Sequence, residues 1–211
     1  IERSLDINYP DEPISNYSYM ADTKNVKEVC NLIEAFGTGI TGFKMVEVPT
    51  EKVLSYLSKP ERESVVKRIE NLISSAQKDQ ERHVKGLIMR SPRDFFILEI
   101  KNDNVVCRTI QFSHNGKETL YEMWEESDGT VRILDLLEIL LSEEGKTYVI
   151  DELDRCLHPS LTYKFVDSYL QMAANKNIQL IVTTHESRLL DFDLLRRDEI
   201  WFVNKRKSGE S

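Results

Sequence analysis

Cysteine is scarce in this 211-residue sequence. Cys30, Cys107 and Cys156 are odd in number and far apart, and no Cys-x-x-Cys pair occurs. That argues against a disulfide framework and against a structural zinc site, and it favours a reduced, cytoplasmic setting. The four histidines do not pair at metal-ligand spacing either. No apolar run approaches the roughly 20 residues that a membrane-spanning helix needs. The opening Ile1-Glu2-Arg3-Ser4 lacks the character of a signal peptide, and the sequence reads as the continuation of a longer protein. Positive charge is in deficit, with a net charge of −8, so whole-chain electrostatics do not favour nucleic acid. Residues 51–94 are locally basic, with ten Lys and Arg against seven Asp and Glu. So small an excess fits a solvated helical face. Internal repeats and low-complexity tracts are absent, and the length suits one or two domains.

A phosphate-binding loop of the Gly-x4-Gly-Lys-Ser/Thr type is also lacking. Two stretches imitate one. Gly37-Thr38-Gly39-Ile40-Thr41-Gly42-Phe43-Lys44 has two glycines five apart, but Phe43 separates glycine from lysine. It also lies between a helical pattern and a strand, the reverse of the required order. Gly145-Lys146-Thr147 spells the end of the motif, but Leu140 stands where the first glycine belongs. Both stretches read as helix stops followed by strands.

What the sequence does have is Tyr148-Val149-Ile150-Asp151-Glu152, an apolar run ending in two acids. Such a run reads as a buried strand of a parallel sheet. Ligands of open α/β sheets bind outside the carboxyl ends of the strands, so Asp151 and Glu152 sit where a ligand would. An acid there can hold Mg²⁺, a hard cation that prefers oxygen, and its neighbour can orient an attacking water. Both acids equally suit an ordinary helix start. Thirty-four residues beyond Asp151, a second apolar run, 179–183, ends in Thr183-Thr184-His185. That spacing leaves room for one helix, giving a βαβ unit whose right-handed crossover brings both strand ends to one sheet edge. Upstream, Ser127-Asp128-Gly129-Thr130 precedes a helical pattern. Backbone N–H groups and a hydroxyl at a helix start make either a cap or an anion site.

Together these three stretches resemble the ABC-type ATPase heads. Asp151-Glu152 is similar to their Walker B pair, Ser127-Asp128-Gly129-Thr130 to their signature loop, and His185 to their switch histidine. Asp151-Glu152-Leu153-Asp154 followed by Leu157-His158-Pro159 resembles the SMC-like, RecF-like and overcoming-lysogenization-defect-like ATPases of bacteria. These are often called AAA-family ATPases and are often found in phage-defence or abortive-infection systems. The resemblance is strongest over residues 125–205. It implies a P-loop NTPase-like α/β fold, an ATP-hydrolysing enzyme, and a homodimer that sandwiches ATP. A partner effector protein is compatible with it. In the implied roles Asp151 holds Mg²⁺, Glu152 and His185 are catalytic, and Ser127, Asp128, Gly129 and Thr130 contact the γ-phosphate held by the other subunit. Asp154 and His158 fall in the loop that crosses the dimer interface, where SMC relatives carry Asp in place of His158. The phosphate loop is then expected on an N-terminal lobe outside these residues. Two other readings compete: a metal-dependent nuclease using Asp151, Glu152 and Asp154, and a non-hydrolysing interaction module of the same fold.

The rest of the chain divides near Glu125. Residues 1–124 read as a helical arm region and an antiparallel β-meander, and residues 125–211 as the C-terminal ATPase lobe. A strand at 4–7 leads to a loop. Asp22-Thr23 caps a helix over 24–36, and a strand follows at 43–48. Ser58-Lys59-Pro60-Glu61 opens a further helix whose apolar stripe runs from Val65 to Ala76. Residues 77–85 are polar. Strands follow at 95–101, 105–113 and 118–123, with Asn115-Gly116 as the strongest hairpin signal. The lobe then alternates: helix 130–142, strand 147–150, helix 159–174, strand 179–183, helix 187–195 with an interruption near Phe192-Asp193, and strand 199–204.

Overall fold

The structure, a computed structural model, describes residues 4–8, 17–21, 26–55, 57–78, 86–90, 94–101, 104–142, 145–173 and 176–204. In chain order the elements are β1 (Ser4–Asn8), α1 (Ser18–Ala21), α2 (Val26–Ala35), β2 (Ile40–Val48), α3 (Thr50–Ser55), α4 (Lys59–Lys78) and β3 (Gly86–Arg90). These are followed by β4 (Phe95–Lys101), β5 (Asn104–His114), β6 (Leu120–Glu122), α5 (Asp128–Leu141), β7 (Lys146–Ile150), α6 (Pro159–Ala173) and β8 (Gln179–Val182). Contacts divide the chain into two compact units, residues 1–10 with 142–211, and residues 11–141. Among the described residues no helix is long and apolar enough to cross a membrane.

The first unit holds a three-stranded parallel sheet in the order β1-β7-β8. The expected strand at the amino terminus is therefore the immediate parallel neighbour of the strand ending in Asp151-Glu152. Gly145, at φ +90°, takes a left-handed turn that a side chain would strain, and its N–H donates to Asn177 O at 3.0 Å. The stretch Gly145-Lys146-Thr147 thus starts a strand and cradles no phosphate. Tyr148 is buried, and its hydroxyl donates to Ser142 Oγ at 2.9 Å. Between β7 and β8 runs α6, with Phe165 and Thr162 fully buried.

Two expectations fail at the end of this unit. Instead of a helix over 187–195, a single 3₁₀ turn, Ser187–Leu189, is followed by a turn on Asp191. The Asp191 carboxylate accepts the Asp193 N–H at 2.9 Å and the Tyr163 hydroxyl at 2.9 Å. A side chain that captures a nearby amide competes with the helical ladder. Instead of a strand over 199–204, a 3₁₀ turn, Arg197–Glu199, leads into irregular chain with Trp201, Phe202 and Val203 exposed. A strand needs a ladder, and among the described residues this segment pairs with none.

The second unit is built on an antiparallel sheet in the order β2-β5-β4-β3, with β6 also on β5. The long β5 pairs along one edge with β2, and along the other with β4 and then β6. Asn115 and Gly116, at φ +52° and +68°, form a left-handed turn where the Asn-Gly signal predicts one, closed by the Lys117 N–H donating to His114 O at 2.9 Å, within the connection 115–119 from β5 to β6. The strand expected at 43–48 is β2 and joins the meander, which also gains β3, whose short Gly-Leu-Ile-Met-Arg run has no alternation to mark it. Helix α3 was not expected either. The stripe of α4 packs as its spacing predicts, with Val65 and Ile69 against the cluster of Val53, Leu98 and Cys107. Its N-terminus is held as the Ser-x-x-Glu pattern requires, with Ser58 N–H donating to Glu61 Oε2 at 2.9 Å. The cap at Asp22-Thr23, the polar stretch 79–85 and the turn at Asn102-Asp103 lie outside the described residues. Gly37 and Gly39, both left-handed, sit between α2 and β2, as a helix stop rather than a phosphate loop.

Helix α5 is buried along nearly its whole length, including Arg132 and Asp135. Asp135 accepts from Arg90 Nη2 at 2.8 Å, with both side chains almost wholly shielded from water. Tyr17 closes a triangle. Its hydroxyl accepts from Arg90 and donates to Asp135, and the guanidinium lies 4.4 Å from its ring centre. Tyr19 donates to Leu134 O at 2.6 Å.

Candidate functional site

In the first unit the carboxyl ends of β7 and β8 meet, and the residues beyond them are tied together by threonines. Thr183 continues β8 beside β7, its N–H donating to Ile150 O at 3.0 Å and its carbonyl accepting from Leu153 N at 3.0 Å. Its hydroxyl donates to Asp151 Oδ1 and accepts the Glu152 N–H at 2.9 Å. One hydroxyl therefore orients the first acid and fixes the backbone of the second. Glu152 needs fixing. Its φ of +51° is left-handed, a conformation that costs a non-glycine residue of order ~1 kcal/mol and concentrates at functional sites.

Thr184 does the same for the next acid. Its hydroxyl donates to Asp154 Oδ1 at 2.6 Å, and the His185 N–H donates to the same oxygen at 3.2 Å. His185 is thus held beside the acids by its backbone, while the residue remains exposed. Burial alone would push the Asp154 carboxyl up. The hydrogen bonds from Thr184, its own amide and the His185 amide, with the nearby imidazole, outweigh burial and hold it below the usual carboxylate range. Leu153, fully buried, anchors the intervening turn. His158 has a local role: its Nδ1 accepts the Ser160 N–H at 3.3 Å and contacts Ser160 Oγ at 2.7 Å, so it caps α6.

The Asp154 geometry makes a prediction with a definite sign. A carboxylate held low stabilises the fold above its unfolded pKa, and that contribution is lost as pH falls through the folded value. Asp154→Asn should be less stable than wild type at pH 7, with the gap narrowing steadily towards pH 3. Urea midpoints across that range measure it, and a constant gap would mean that the charge contributes nothing.

A single strand-end carboxylate beside a hydroxyl suits Mg²⁺, which usually takes one or two carboxylates together with substrate phosphates and waters. Asp151 with Thr183 fits that description. A two-metal acidic cluster does not fit as well. Among the described residues no group of three or more His, Cys, Asp and Glu side chains is placed to hold a metal ion. Asp151 engages Thr183 and Asp154 engages Thr184, so the acids of the nuclease reading do not converge.

Ser127 lies in the second unit, at the start of α5. Its hydroxyl accepts the Thr130 N–H at 3.1 Å and lies 2.9 Å from Thr130 Oγ1, and its carbonyl accepts the Val131 N–H. It is the cap of its own helix. Ser127 and Asp128 are exposed, while Gly129 and Thr130 are half-buried. Just before the turn, the buried Glu126 carboxylate meets His114 Nε2 at 2.7 Å, which fixes the chain entering it.

Residues 33–191, about three quarters of the chain, match the protein family described as "AAA domain, putative AbiEii toxin, Type IV TA system". The chain belongs to this AAA-domain family. The match takes in Ser127, Asp151, Glu152 and His185, and it reaches far upstream of residue 125 into the antiparallel sheet. No curated protein matches the chain.

Sequence reasoning singled out Asp151, Glu152 and His185 but passed over Thr183 and Thr184 as part of a polar triplet. A signal for them existed. Hydroxyl residues at the end of the strand next to an acid-tipped strand are the groups able to bridge the two ends.

Proposed function

We propose that this AAA-domain chain is the Walker B- and signature-bearing part of an ATP-hydrolysing ABC- or SMC-like ATPase that works as a nucleotide-gated dimer. One observation carries the reading: the Asp151-Glu152 turn of one parallel strand and the Thr183-Thr184-His185 end of its neighbour are hydrogen-bonded into one constellation. In this reading Asp151, oriented by Thr183, would hold Mg²⁺, which supplies neutralisation of the charge that develops on the phosphates. Glu152 orients the attacking water and takes its proton. His185 donates to a phosphate oxygen. Ser127 and the first amides of α5 meet the γ-phosphate bound to the other subunit. The family description favours a role in a toxin–antitoxin or abortive-infection system.

Ser127 gives the test of the dimer. Ser127→Arg should abolish nucleotide-driven dimerisation and ATP hydrolysis together while single-subunit nucleotide binding survives. Mixing it with Glu152→Gln sharpens the result. A mixed dimer has one site with both defects and one with neither, so hydrolysis should return to a fraction of wild type. No recovery in proven mixed dimers, or full activity of Ser127→Arg alone, would remove the composite site.

A further inference from the structure

The second unit carries a cavity of about 250 Å³ against its antiparallel sheet. Its apolar side is formed by Val48, Val53 and Phe96. Val53 is fully buried, and Val48 and Phe96 pack against its cluster, so this side is a fixed hydrocarbon surface. Trp124 forms part of the wall and is 58% exposed. It stands in the 3₁₀ turn Met123–Glu125. Its indole N–H donates to Glu122 Oε2 at 3.1 Å, which holds the ring beside a carboxylate. The polar groups of the lining are unevenly matched. Thr109 spends its hydroxyl on Phe95 O at 2.8 Å, and Trp124 spends its N–H on Glu122. Asp94 and Glu122 bring two carboxylates to the cavity, and each carboxylate can accept several hydrogen bonds. Among the described lining residues the cation is Lys52, exposed on α3. The acids outnumber it, so the cavity suits a cation that donates hydrogen bonds. Its volume sets the size of that cation. Pockets for cofactor-sized ligands enclose roughly 300–1,000 Å³, so this one suits a single long side chain.

We propose that this cavity is a docking site for an arginine side chain of a partner protein. The methylene stem covers Val53 and Phe96, as long basic side chains do on apolar surface. The guanidinium lies against the Trp124 ring, and its N–H groups donate to Glu122 and Asp94. Arginine fits better than lysine, because a planar guanidinium stacks on an aromatic face and forks onto carboxylates. The site adjoins the turn that carries Ser127, since Glu126 and Ser127 directly follow the Trp124 turn. Binding itself rests on the cavity and its charges and not on the ATPase reading.

The test reads the fluorescence of Trp124 in the whole chain. The sequence has two tryptophans, and Trp201→Phe, at a position 85% exposed, leaves Trp124 as the reporter. The probes are capped pentapeptides, Ala-Ala-X-Ala-Ala, in which X is arginine, lysine or citrulline, the last having nearly the shape of arginine without its charge. The arginine peptide should shift the emission saturably and bind at least tenfold more tightly than the citrulline peptide, with lysine between them. Glu122→Gln should weaken the arginine peptide at least tenfold. The Gln carbonyl can still accept the Trp124 N–H, and an unchanged circular dichroism spectrum checks that the fold persists. Asp94→Asn should weaken it in the same direction, and Lys52→Ala should tighten it by removing the rival cation. The comparison of peptides needs no change in the cavity, so it decides the matter even where a variant fails to fold. Three results would overturn the proposal: no saturable binding, equal binding of the arginine and citrulline peptides, or full binding to folded Glu122→Gln. Methylguanidinium binding as tightly as the arginine peptide would also overturn it, since the site would then serve a free small cation and not a partner's side chain.

Discussion

Replacing Glu152 with Gln should slow ATP hydrolysis by ~10²-fold or more, the scale of losing a general base, while ATP binding persists and ATP-bound dimers accumulate. The measurement requires the protein with its phosphate loop in place. The substitution is clean for a structural reason. Residue 152 is held at φ +51° by its own N–H on Thr183 Oγ1 and by the neighbouring Leu153 N–H on Thr183 O. Both bonds are donated by main-chain N–H groups and neither uses the side chain of residue 152, and Gln, like Glu, is a non-glycine residue of the same length. The backbone strain and the turn are therefore common to both proteins, and only the basicity of the side chain differs. Wild-type turnover in the Gln variant would show that the water is activated elsewhere and would end the role proposed for Glu152.

Breaking the triangle of Tyr17, Arg90 and Asp135 should have the largest effect on stability. Asp135→Ala or Arg90→Ala each leaves a charge buried without its partner, a loss of about 3–5 kcal/mol for such sites. For a domain of this size that lowers Tm by roughly 10 °C. Burial pushes the Asp135 carboxyl up, while Arg90 and Tyr17 pull it down. The acid thus depends on these partners for its charge. The double change to apolar residues, Arg90→Met with Asp135→Leu, should cost clearly less than the two single alanine changes together, because neither Arg90 nor Asp135 is then left as the other's orphaned charge. Scanning calorimetry on the four proteins decides the matter, and single variants within 1 kcal/mol of wild type would refute it. The effect bears on function because Asp135 lies two turns into the helix that begins beside Ser127. A loosened α5 would present that turn less rigidly, so weakened nucleotide-driven dimerisation should accompany the lost stability.

Local signals were legible wherever one segment decides its own structure. The apolar run into Asp151-Glu152 is a strand, Asn115-Gly116 is the hairpin turn, and Ser127 caps α5. The stripe of Val65 and Ile69 is a half-buried helix face packed on the core. In each case the deciding physics acts over a few residues: side-chain periodicity, a left-handed turn or a hydroxyl beside a free amide. Short or competing signals were misread. The Gly86–Arg90 strand has no alternation to mark it, and the Asp191 carboxylate diverts an amide from the helix expected around it.

What the sequence determined by itself was the set of elements and the chemistry at their ends, including two acids and a histidine a βαβ unit apart. The tertiary structure decided who meets whom. The amino-terminal strand pairs with β7 across more than a hundred residues. Arg90 finds Tyr17 and Asp135 at separations of 73 and 45 residues. Thr183 and Thr184 become clamps on Asp151, Glu152 and Asp154 only because β7 and β8 lie side by side. Such partners carry no mark in the chain, because a hydrogen bond or a ladder depends on position in space and any threonine can donate. The same reason leaves Trp201-Phe202-Val203 exposed: a strand-forming sequence becomes a strand only when another strand is there to pair with it.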